Sequence, residues 1–454
     1  MTIHSSVDDG RRARLAPVSP FDEITRFGMT GAHAAAGVGR YLLHTVTDAF
    51  DGRGPSKQRA AHEVRTTFEH LGPTYVKLGQ LIASSPGVFT ETLSGEFESL
   101  LDRVSPADET AIREVFTTEL GRPPEQVFAT FDPVPIASAS IAQVHTATLA
   151  DGTRVVVKIQ RPGIAERLAP DVAILERLAG LAEISEYGRM LSARHVVEDF
   201  ASGLDGELDF RTEADAMAEW YDCLRDGPFG SRVRVPRVHT DYTTARVLTM
   251  ERIDAIRIDD ADAVRAAGHD GVALCRNLLL SLLESAFHGG LFHGDLHAGN
   301  VLVDDQGRLV LLDFGIVGRF TPRTRRILRQ LVVDLIVRND YEAAGRGIFL
   351  LGAVHNPGSS AAGGADIKKV TAPLSSTEMA AMSYTDLGRQ LAAVAKAHDA
   401  RLPRELVLVG KQLLYVEKYM KLLAPRWKAM SDPEIYGYMA GILKEAERDR
   451  RRAP

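Results

Sequence analysis

Two short polar motifs in the second half of the chain hold the residue types best suited to chemistry. They are HGDLHAGN at 293–300 and LLDFG at 311–315. Phosphoryl transfer needs a carboxylate that orients the nucleophile or accepts its proton, and oxygen ligands for the magnesium that neutralises the phosphates. We therefore predict Asp295 as the catalytic carboxylate, and Asn300 and Asp313 as the magnesium ligands.

A zinc site is the alternative for the two histidines of the first motif. His293 and His297 are four residues apart, a spacing that brings two ligands together on a helix. The motif contains Gly294 and Gly299 and is predicted to be a loop, and no third ligand lies nearby in the sequence. We therefore expect His293 to brace the loop through hydrogen bonds.

Lys158 lies in the apolar run VVVKI at 155–159, on the second strand of a hairpin predicted from its Asp-Gly turn. A lysine that binds phosphate needs such a rigid mounting and an acidic partner. The helical segment at 207–214 offers Glu207, Asp209 and Glu213, and we predict Glu213 as the partner that completes the catalytic set. A solvated lysine at a strand edge is the alternative.

The stretch before this hairpin, PIASASIAQ at 135–143, contains no glycine. Loops that hold phosphates are usually rich in glycine, because a residue without a Cβ lets the backbone approach the phosphate oxygens. The side chains of this loop should restrict that approach. The loop therefore argues against efficient protein phosphorylation.

The elements that must position these residues change in character along the chain. Helical patterns cover 58–120, β-favouring patterns 139–160, and helical patterns 164–224. A further strand is predicted near 246–250, and the chain beyond Asp259 is mainly helical except for a short hairpin at 300–312. We predict an α+β fold with a small β-containing lobe followed by a helical lobe. The predicted domains are 1–55, a loosely ordered or amphipathic segment, and then 56–125, 126–253 and 254–454.

Composition excludes several classes of protein. The chain has 454 residues and a formal net charge of −6, which provides no general field for nucleic acid. Two cysteines, Cys223 and Cys275, make no disulfide framework or metal-binding spacing. No run is long and uncharged enough to span a membrane, and the amino terminus lacks the apolar region of a signal peptide. We expect a cytoplasmic protein without signal peptide or transmembrane helix.

Together these motifs resemble the UbiB/AarF family of atypical kinase-like proteins. The resemblance runs from about residue 60 to about residue 425. It rests on KLGQ at 77–80, ASASIAQVH at 137–145, VVVKIQRPG at 155–163, ELDFRTEA at 207–214, VLTMERI at 247–253, HGDLHAGN and DFGIVG. The resemblance implies a bilobal protein-kinase-like fold with an amino-terminal helical extension that carries the KxGQ motif.

The resemblance also assigns roles to individual residues. It directs Lys77 and Gln80 at the nucleotide and at the acidic pair Glu207 and Asp209. It places adenine against the backbone of 250–253, where Glu251 and Ile253 are the predicted contacts. It places the nucleotide against the alanine-rich loop, where the predicted contacts are Ala137, Ser138, Ala139, Ser140 and Gln143. The implied cofactors are ATP or ADP with Mg²⁺.

The function implied is that of a magnesium-dependent atypical kinase or ATPase connected to ubiquinone, menaquinone or other isoprenoid-lipid metabolism. Expected partners are the nucleotide, an isoprenoid lipid or proteins of quinone biosynthesis, and the inner face of a membrane through peripheral contact, but not nucleic acid. Two alternatives stay open. One is a small-molecule kinase of the aminoglycoside or choline kinase type, and the other is a non-catalytic scaffold controlled by nucleotide.

Overall fold

The chain folds into two compact units. The computed structural model describes residues 18–50, 56–83, 90–97, 105–184, 193–225, 227–334 and 404–452, with scattered positions at 338–351. The described residues of 18–214 and 238–252 form unit 1, and those of 215–237 and 253–452 form unit 2. The predicted amino-terminal segment 1–55 lies partly outside the described residues, and the predicted domain boundaries stay predictions.

Unit 1 begins with the helices α1 (Pro20–Phe50), α2 (Lys57–Leu71), α3 (Pro73–Ala83) and α4 (Glu91–Phe97). The predicted break between α2 and α3 is confirmed at Gly72, whose φ of 103° lies in the left-handed region that glycine tolerates. Leu71 at the end of α2 and Tyr75 in α3 are buried in one apolar cluster. This packing fixes α3, which carries the KxGQ motif.

The sheet of unit 1 follows α5 (Glu109–Leu120) and α6 (Pro124–Val127). Its strands are β1 (Thr130–Phe131), β2 (Ala137–Ser138), β3 (Ala142–Thr148), β4 (Arg154–Gln160) and β6 (Val247–Glu251). They pair in the order β1-β3-β4-β6, with β2 antiparallel to β3. Val155, Val157 and Ile159 alternate along β4 and are completely buried in the core. Lys158 therefore points to the opposite face of the sheet.

The predicted hairpin around Asp151-Gly152 is confirmed. Gly152 has a φ of 87°, and the Asp151 carboxylate accepts a hydrogen bond from the Thr153 N–H at 2.9 Å. The predicted strand from residue 139 differs in detail, because the chain turns between β2 and β3. The Ala139 N–H donates to the Ala142 carbonyl at 2.8 Å and closes that turn.

Helices α7 (Ile164–Ala182), α8 (Ala193–Glu207) and α9 (Phe210–Arg225) follow the sheet, as the helical pattern predicts. The buried Gln160 side chain donates to the Leu208 carbonyl at 2.6 Å. This bond attaches the end of β4 to the short connection between α8 and α9. The boundary between the two units falls inside α9, after Ala214.

Unit 2 combines short strands with longer helices. The strands are β5 (Val233–Arg234), β7 (Ile256–Arg257), β8 (Leu291–His293), β9 (Val301–Val303), β10 (Leu309–Leu311) and β11 (Val317–Arg319). The helices are α10 (Ala261–Ala266), α11 (Gly271–Glu284), α12 (Pro322–Val332), α13 (Arg404–Leu423) and α14 (Pro433–Arg452). The predicted β9–β10 hairpin is confirmed.

Two features of unit 2 were not anticipated. Strand β10 also pairs with β5 in parallel, and β8 pairs with β11 across the two polar motifs. The α+β class, with a small sheet in one unit and a mainly helical second unit, agrees with the prediction. Among the described residues, no helix has the length and apolar character needed to cross a membrane.

Candidate functional site

Lys158 and Glu213 form an ion pair inside unit 1. The Lys158 ammonium lies 2.8 Å from one Glu213 carboxylate oxygen and 3.1 Å from the other. Glu213 is in the first turn of α9, where the helix dipole favours a negative charge, and it is only 4% exposed. The ammonium also lies 5.1 Å from the centre of the Phe210 ring. The structure therefore brings together the lysine and the carboxylate that the sequence paired.

The alanine-rich turn between β2 and β3 is braced by one arginine. The Arg161 guanidinium donates to the Ala139 carbonyl at 2.7 Å and to the Ser138 hydroxyl at 2.6 Å. The same guanidinium donates to the Ser105 carbonyl at 2.7 Å. Ala137 lies in β2, opposite Val144. The turn is therefore held by a side chain from the end of β4 rather than left open as a glycine loop would be.

Ser140 and Gln143 of the same segment are both buried. The Gln143 side-chain oxygen accepts from the Ala107 N–H at 2.9 Å, and its nitrogen lies 2.8 Å from His145 Nε2. Its polar atoms are thus engaged within the unit. The predicted contact between Gln143 and the nucleotide stays a prediction. It would require the side chain to give up its bonds to Ala107 and His145.

The KxGQ helix contacts the first of the acidic pair. The Lys77 ammonium on α3 lies 2.9 Å from the Glu207 carboxylate at the end of α8. Asp209, the other acid, accepts two hydrogen bonds from the guanidinium of Arg211, at 2.8 and 2.7 Å. Gln80 lies on α3 one turn after Lys77 and is partly buried. The two acids therefore have different cationic partners.

The predicted adenine contacts fall where the chain passes from unit 1 to unit 2. Glu251 ends β6 and pairs with Val155, and the Arg252 N–H donates to the Arg154 carbonyl at 3.0 Å. Ile253 is the first residue of unit 2 after this strand. The roles of Glu251 and Ile253 stay predictions.

In unit 2, His293 holds the first polar motif through both ring nitrogens. Its Nδ1 accepts from the Asp295 N–H at 3.0 Å, so the proton lies on Nε2, which donates to the Leu312 carbonyl at 2.9 Å. The ring is fully buried, and burial lowers its pKa, so it stays neutral. The predicted bracing role of His293 is confirmed.

The predicted metal ligands lie at the same end of the β9–β10 hairpin. The Leu312 N–H donates to the Asn300 carbonyl at 2.9 Å, which places Asp313 next to the start of β9. The Asn300 side-chain nitrogen donates to the Asp295 carbonyl at 3.0 Å, and this orients its side-chain oxygen. Hard oxygen atoms of this kind suit Mg²⁺.

Asp313 has an unusual backbone. Its φ of 55° makes it the one residue other than glycine with a positive φ in the described part of the chain. Its carboxylate accepts from the Gly315 N–H at 3.2 Å, while Phe314 is buried against His293 and Trp220. A positive φ is uncommon outside glycine, and such conformations cluster at functional sites.

The Asp295 carboxylate has a partner that we did not predict. The Lys411 ammonium, on α13, lies 3.0 Å from Asp295 Oδ1. The next residue, Gln412, is completely buried, accepts from the Leu296 N–H at 2.7 Å and donates to the Gly294 carbonyl at 2.6 Å. A lysine and a glutamine within an otherwise apolar helical run were the signal in the sequence.

The arrangement does not support the zinc alternative. His297 uses Nδ1 to accept from the Gly299 N–H at 2.9 Å, and His293 uses both nitrogens on the backbone. The described residues contain no group of three or more His, Cys, Asp or Glu side chains that could hold a metal ion. An aspartate and an asparagine that need phosphates and water to complete a coordination shell are typical of magnesium bound with nucleotide.

Comparisons with known proteins agree with these motifs. Residues 99–346 match the family model described as the ABC1 atypical kinase-like domain. The uncharacterized protein Rv0647c of Mycobacterium tuberculosis is 54% identical over 397 residues, which cover 87% of this chain and 81% of that protein. The probable protein kinase UbiB of Marinobacter nauticus is 32% identical over 367 residues, which cover 80% of this chain and 66% of that protein.

A solved structure supports the fold. The Rv3197 protein of Mycobacterium tuberculosis, solved in complex with erythromycin, superposes with a TM-score of 0.51 at 21% identity. The superposition covers 90% of this chain and 99% of that one. On the motifs, the family model and these relatives, the chain belongs to the UbiB/AarF family of ABC1 atypical kinase-like proteins.

Proposed function

We propose that this protein binds ATP with Mg²⁺ and transfers the γ-phosphoryl group, to water or to a small acceptor, in isoprenoid-lipid or quinone metabolism. One observation carries the proposal. Hydrogen bonds of His293 and Asn300 hold the backbone around Asp295, Asn300 and Asp313 at one end of the β9–β10 hairpin. These three residues supply two carboxylates and an amide oxygen. These are the groups that phosphoryl transfer requires.

Asn300 and Asp313 would hold the magnesium ion. The bond from the Asn300 nitrogen to the Asp295 carbonyl leaves the amide oxygen for the ion, and Asp313 contributes a carboxylate. When bound, the ion would neutralise the phosphate oxygens as charge develops on them. Lys158 would bind phosphate oxygens with an ammonium that Glu213 already holds in position.

Asp295 would act on the nucleophile. The proton of water or of a hydroxyl group passes to the Asp295 carboxylate as the nucleophile oxygen bonds to the γ-phosphorus. The bond from that phosphorus to the bridging oxygen breaks, and its electron pair leaves with ADP. His293 is not available for this proton, because its Nδ1 already accepts from the Asp295 N–H and its Nε2 carries the proton that it donates to the Leu312 carbonyl.

The alanine-rich turn favours hydrolysis or a small acceptor over a protein substrate. Each of its residues carries a Cβ, and Arg161 ties the turn to the end of β4. A loop of this kind should not fold closely over the γ-phosphate as a glycine loop does. The connection to lipids rests on the family and on relatives named UbiB.

ATP turnover tests the proposal directly. ADP release is measured with Mg²⁺, with and without anionic vesicles and a phenolic quinone-precursor mimic, for the wild type, Asp295→Asn and Asp305→Asn. Asp305 is exposed in the turn of the same hairpin and is the matched control. We expect Asp295→Asn to lose on the order of 10²- to 10⁴-fold in rate, and the control to keep the wild-type rate.

The outcomes separate the candidate functions. Equal turnover by the wild type and Asp295→Asn would refute the assignment of Asp295. Tight ADP binding without turnover under any condition would favour the scaffold, which the braced, glycine-free turn makes a real candidate. ADP released in step with phosphorylation of a hydroxylated small molecule would favour a small-molecule kinase.

A further inference from the structure

The cation beside Asp295 comes from a helix that begins more than a hundred residues later in the chain. We propose that Lys411 is a positioning residue, which holds Asp295 Oδ1 so that Oδ2 faces the nucleophile. This inference rests on the proposed function, because it assigns to Lys411 a role in the work of Asp295. Four features of unit 2 lead to it.

The first feature is that the loop itself carries no permanently charged cation next to Asp295. Residues 293–300 contain no lysine or arginine. The preceding position must be glycine, because a Cβ on Gly294 would lie 2.5 Å from Ile316 Cγ2 and 2.7 Å from the Ile316 carbonyl oxygen. A basic side chain there would displace the β8–β11 pair, so the cation has to arrive from another element.

The second feature is that the loop backbone is already held without Lys411. Gln412 bonds to the backbone on both sides of Asp295, through the Leu296 N–H and the Gly294 carbonyl. The Tyr419 hydroxyl donates to the Leu296 carbonyl at 2.7 Å. Helix α13 therefore fixes the path of the loop through Gln412 and Tyr419. Lys411 acts on the side chain that remains, which is the carboxylate.

The third feature is the asymmetry of the carboxylate. Oδ1 lies 3.0 Å from the Lys411 ammonium, while Oδ2 lies 3.8 Å from His297 Nε2, beyond hydrogen-bond distance. The Asp295 side chain is 25% exposed and the Lys411 side chain 12%. One oxygen is therefore held from within the unit, and the other can receive a proton from outside.

The fourth feature is that the Lys411 ammonium has an aromatic neighbour on its own helix. Lys411 lies on α13 one turn before Tyr415, and its ammonium is 5.8 Å from the centre of that ring. A partly exposed ion pair contributes little to stability. The pair is better explained by what it does to the carboxylate, since a nucleophile must meet a correctly aimed acceptor.

The test compares turnover and nucleotide binding in the full-length chain. The variants are Lys411→Met, Lys411→Arg, Asp295→Asn and the double variant Lys411→Met/Asp295→Asn. Lys418→Met is the matched control, because Lys418 lies on the same helix and is exposed. We measure kcat, the KM for ATP, the Kd for ADP with Mg²⁺ and the melting temperature of each.

We expect Lys411→Met to lower kcat on the order of 10²-fold, with KM, Kd and melting temperature close to those of Lys418→Met. Lys411→Arg should recover most of the loss, because it restores a cation. The double variant should be no slower than Asp295→Asn, because Lys411 acts only through Asp295.

Four results would overturn the inference. They are an unchanged kcat in Lys411→Met, a parallel loss of ADP affinity and melting temperature, an absence of recovery in Lys411→Arg, and a double variant slower than Asp295→Asn. The last would mean that Lys411 contacts the substrate itself. Absence of turnover in the wild type is a different result, which would refute the proposed function and this role with it.

Discussion

The two units hold a lysine–carboxylate pair in different ways. In unit 1, Lys158 and Glu213 both project from regular elements, a strand and the first turn of a helix, and the carboxylate is buried. In unit 2, Asp295 lies on a loop, and its partner Lys411 comes from a distant helix. Regular elements can orient an ion pair by themselves, whereas a loop needs side chains from other elements to hold its backbone.

The largest effect is expected where the carboxylate is most buried. Lys158→Met leaves Glu213, which is 4% exposed, without its cation, and should cost about 4 kcal/mol of the free energy of unfolding. Urea unfolding followed by circular dichroism measures the loss. Lys158→Met/Glu213→Leu should recover most of it, because no charge is then left buried. A double variant as unstable as Lys158→Met would show that the loss does not come from the unpaired charge of Glu213.

A somewhat smaller loss of stability is expected when the side chains of α13 that hold the loop around Asp295 are changed. Gln412→Leu leaves the Leu296 N–H and the Gly294 carbonyl without their partner, which should cost about 3 kcal/mol. Tyr419→Phe removes one hydrogen bond from the same loop and should cost about 1 kcal/mol.

The measurement for this pair of variants can be confined to unit 2. Both tryptophans of the chain, Trp220 and Trp427, belong to that unit, so intrinsic fluorescence during urea unfolding reports on it. If Gln412→Leu were no more damaging than Tyr419→Phe, the loop would not depend on α13 as described, and the contrast between the units would fail.

Unit 2 should also lose stability at alkaline pH through His288. Its ring lies between the Glu284 and Glu445 carboxylates, at 2.8 and 2.9 Å, and the hydrogen bond to Glu284 raises its pKa to about 9. The stabilisation by the protonated ring is complete below the unfolded pKa of about 6.5 and is lost as the pH rises through about 9. Solvent screening of this half-buried group keeps the effect modest.

Tryptophan-monitored urea unfolding at pH 6, 8 and 10 measures this dependence. The wild type should lose more stability between pH 6 and 10 than His288→Gln does. Parallel curves for the two proteins would show that the cluster around His288 carries no protonation-linked stability.

The smallest effect should come from the other lysine pair of unit 1. Lys77 and Glu207 are 20% and 19% exposed, so Lys77→Met should change the free energy of unfolding by no more than about 1 kcal/mol. The measurement is the same circular dichroism experiment used for Lys158→Met. A loss as large as that of Lys158→Met would show that burial does not decide how much each ion pair contributes to stability.

The contrast between regular elements and loops also explains which site residues could be predicted from the sequence. Lys158 and Glu213 were paired from the sequence because each lies on a strongly patterned strand or helix. The β9–β10 hairpin and the bracing His293 were also predicted, because their signals are local. Lys411 was missed because its partner is set by tertiary packing of α13, and the lysine by itself is typical of a solvated helix face.

Two other differences have physical causes as well. The short strands β8 and β11 have too few residues for a pattern, and their pairing depends on the close approach that Gly294 permits at Ile316. The side chain of Gln143 points into unit 1 because the turn between β2 and β3 shifts the start of the predicted strand. A periodic sequence pattern is least able to predict the orientation of single residues at the ends of strands.

The most direct test of the account is stabilisation by nucleotide and magnesium. ADP with Mg²⁺ is added to the wild type, Asp313→Asn and Asp305→Asn, and thermal unfolding is recorded. Asparagine tolerates the positive φ of Asp313, so the variant should fold while losing the metal-binding carboxylate. At a hundredfold excess over the dissociation constant, the wild type and Asp305→Asn should gain about 2.7 kcal/mol, and Asp313→Asn almost nothing. Equal stabilisation of all three proteins would contradict the account.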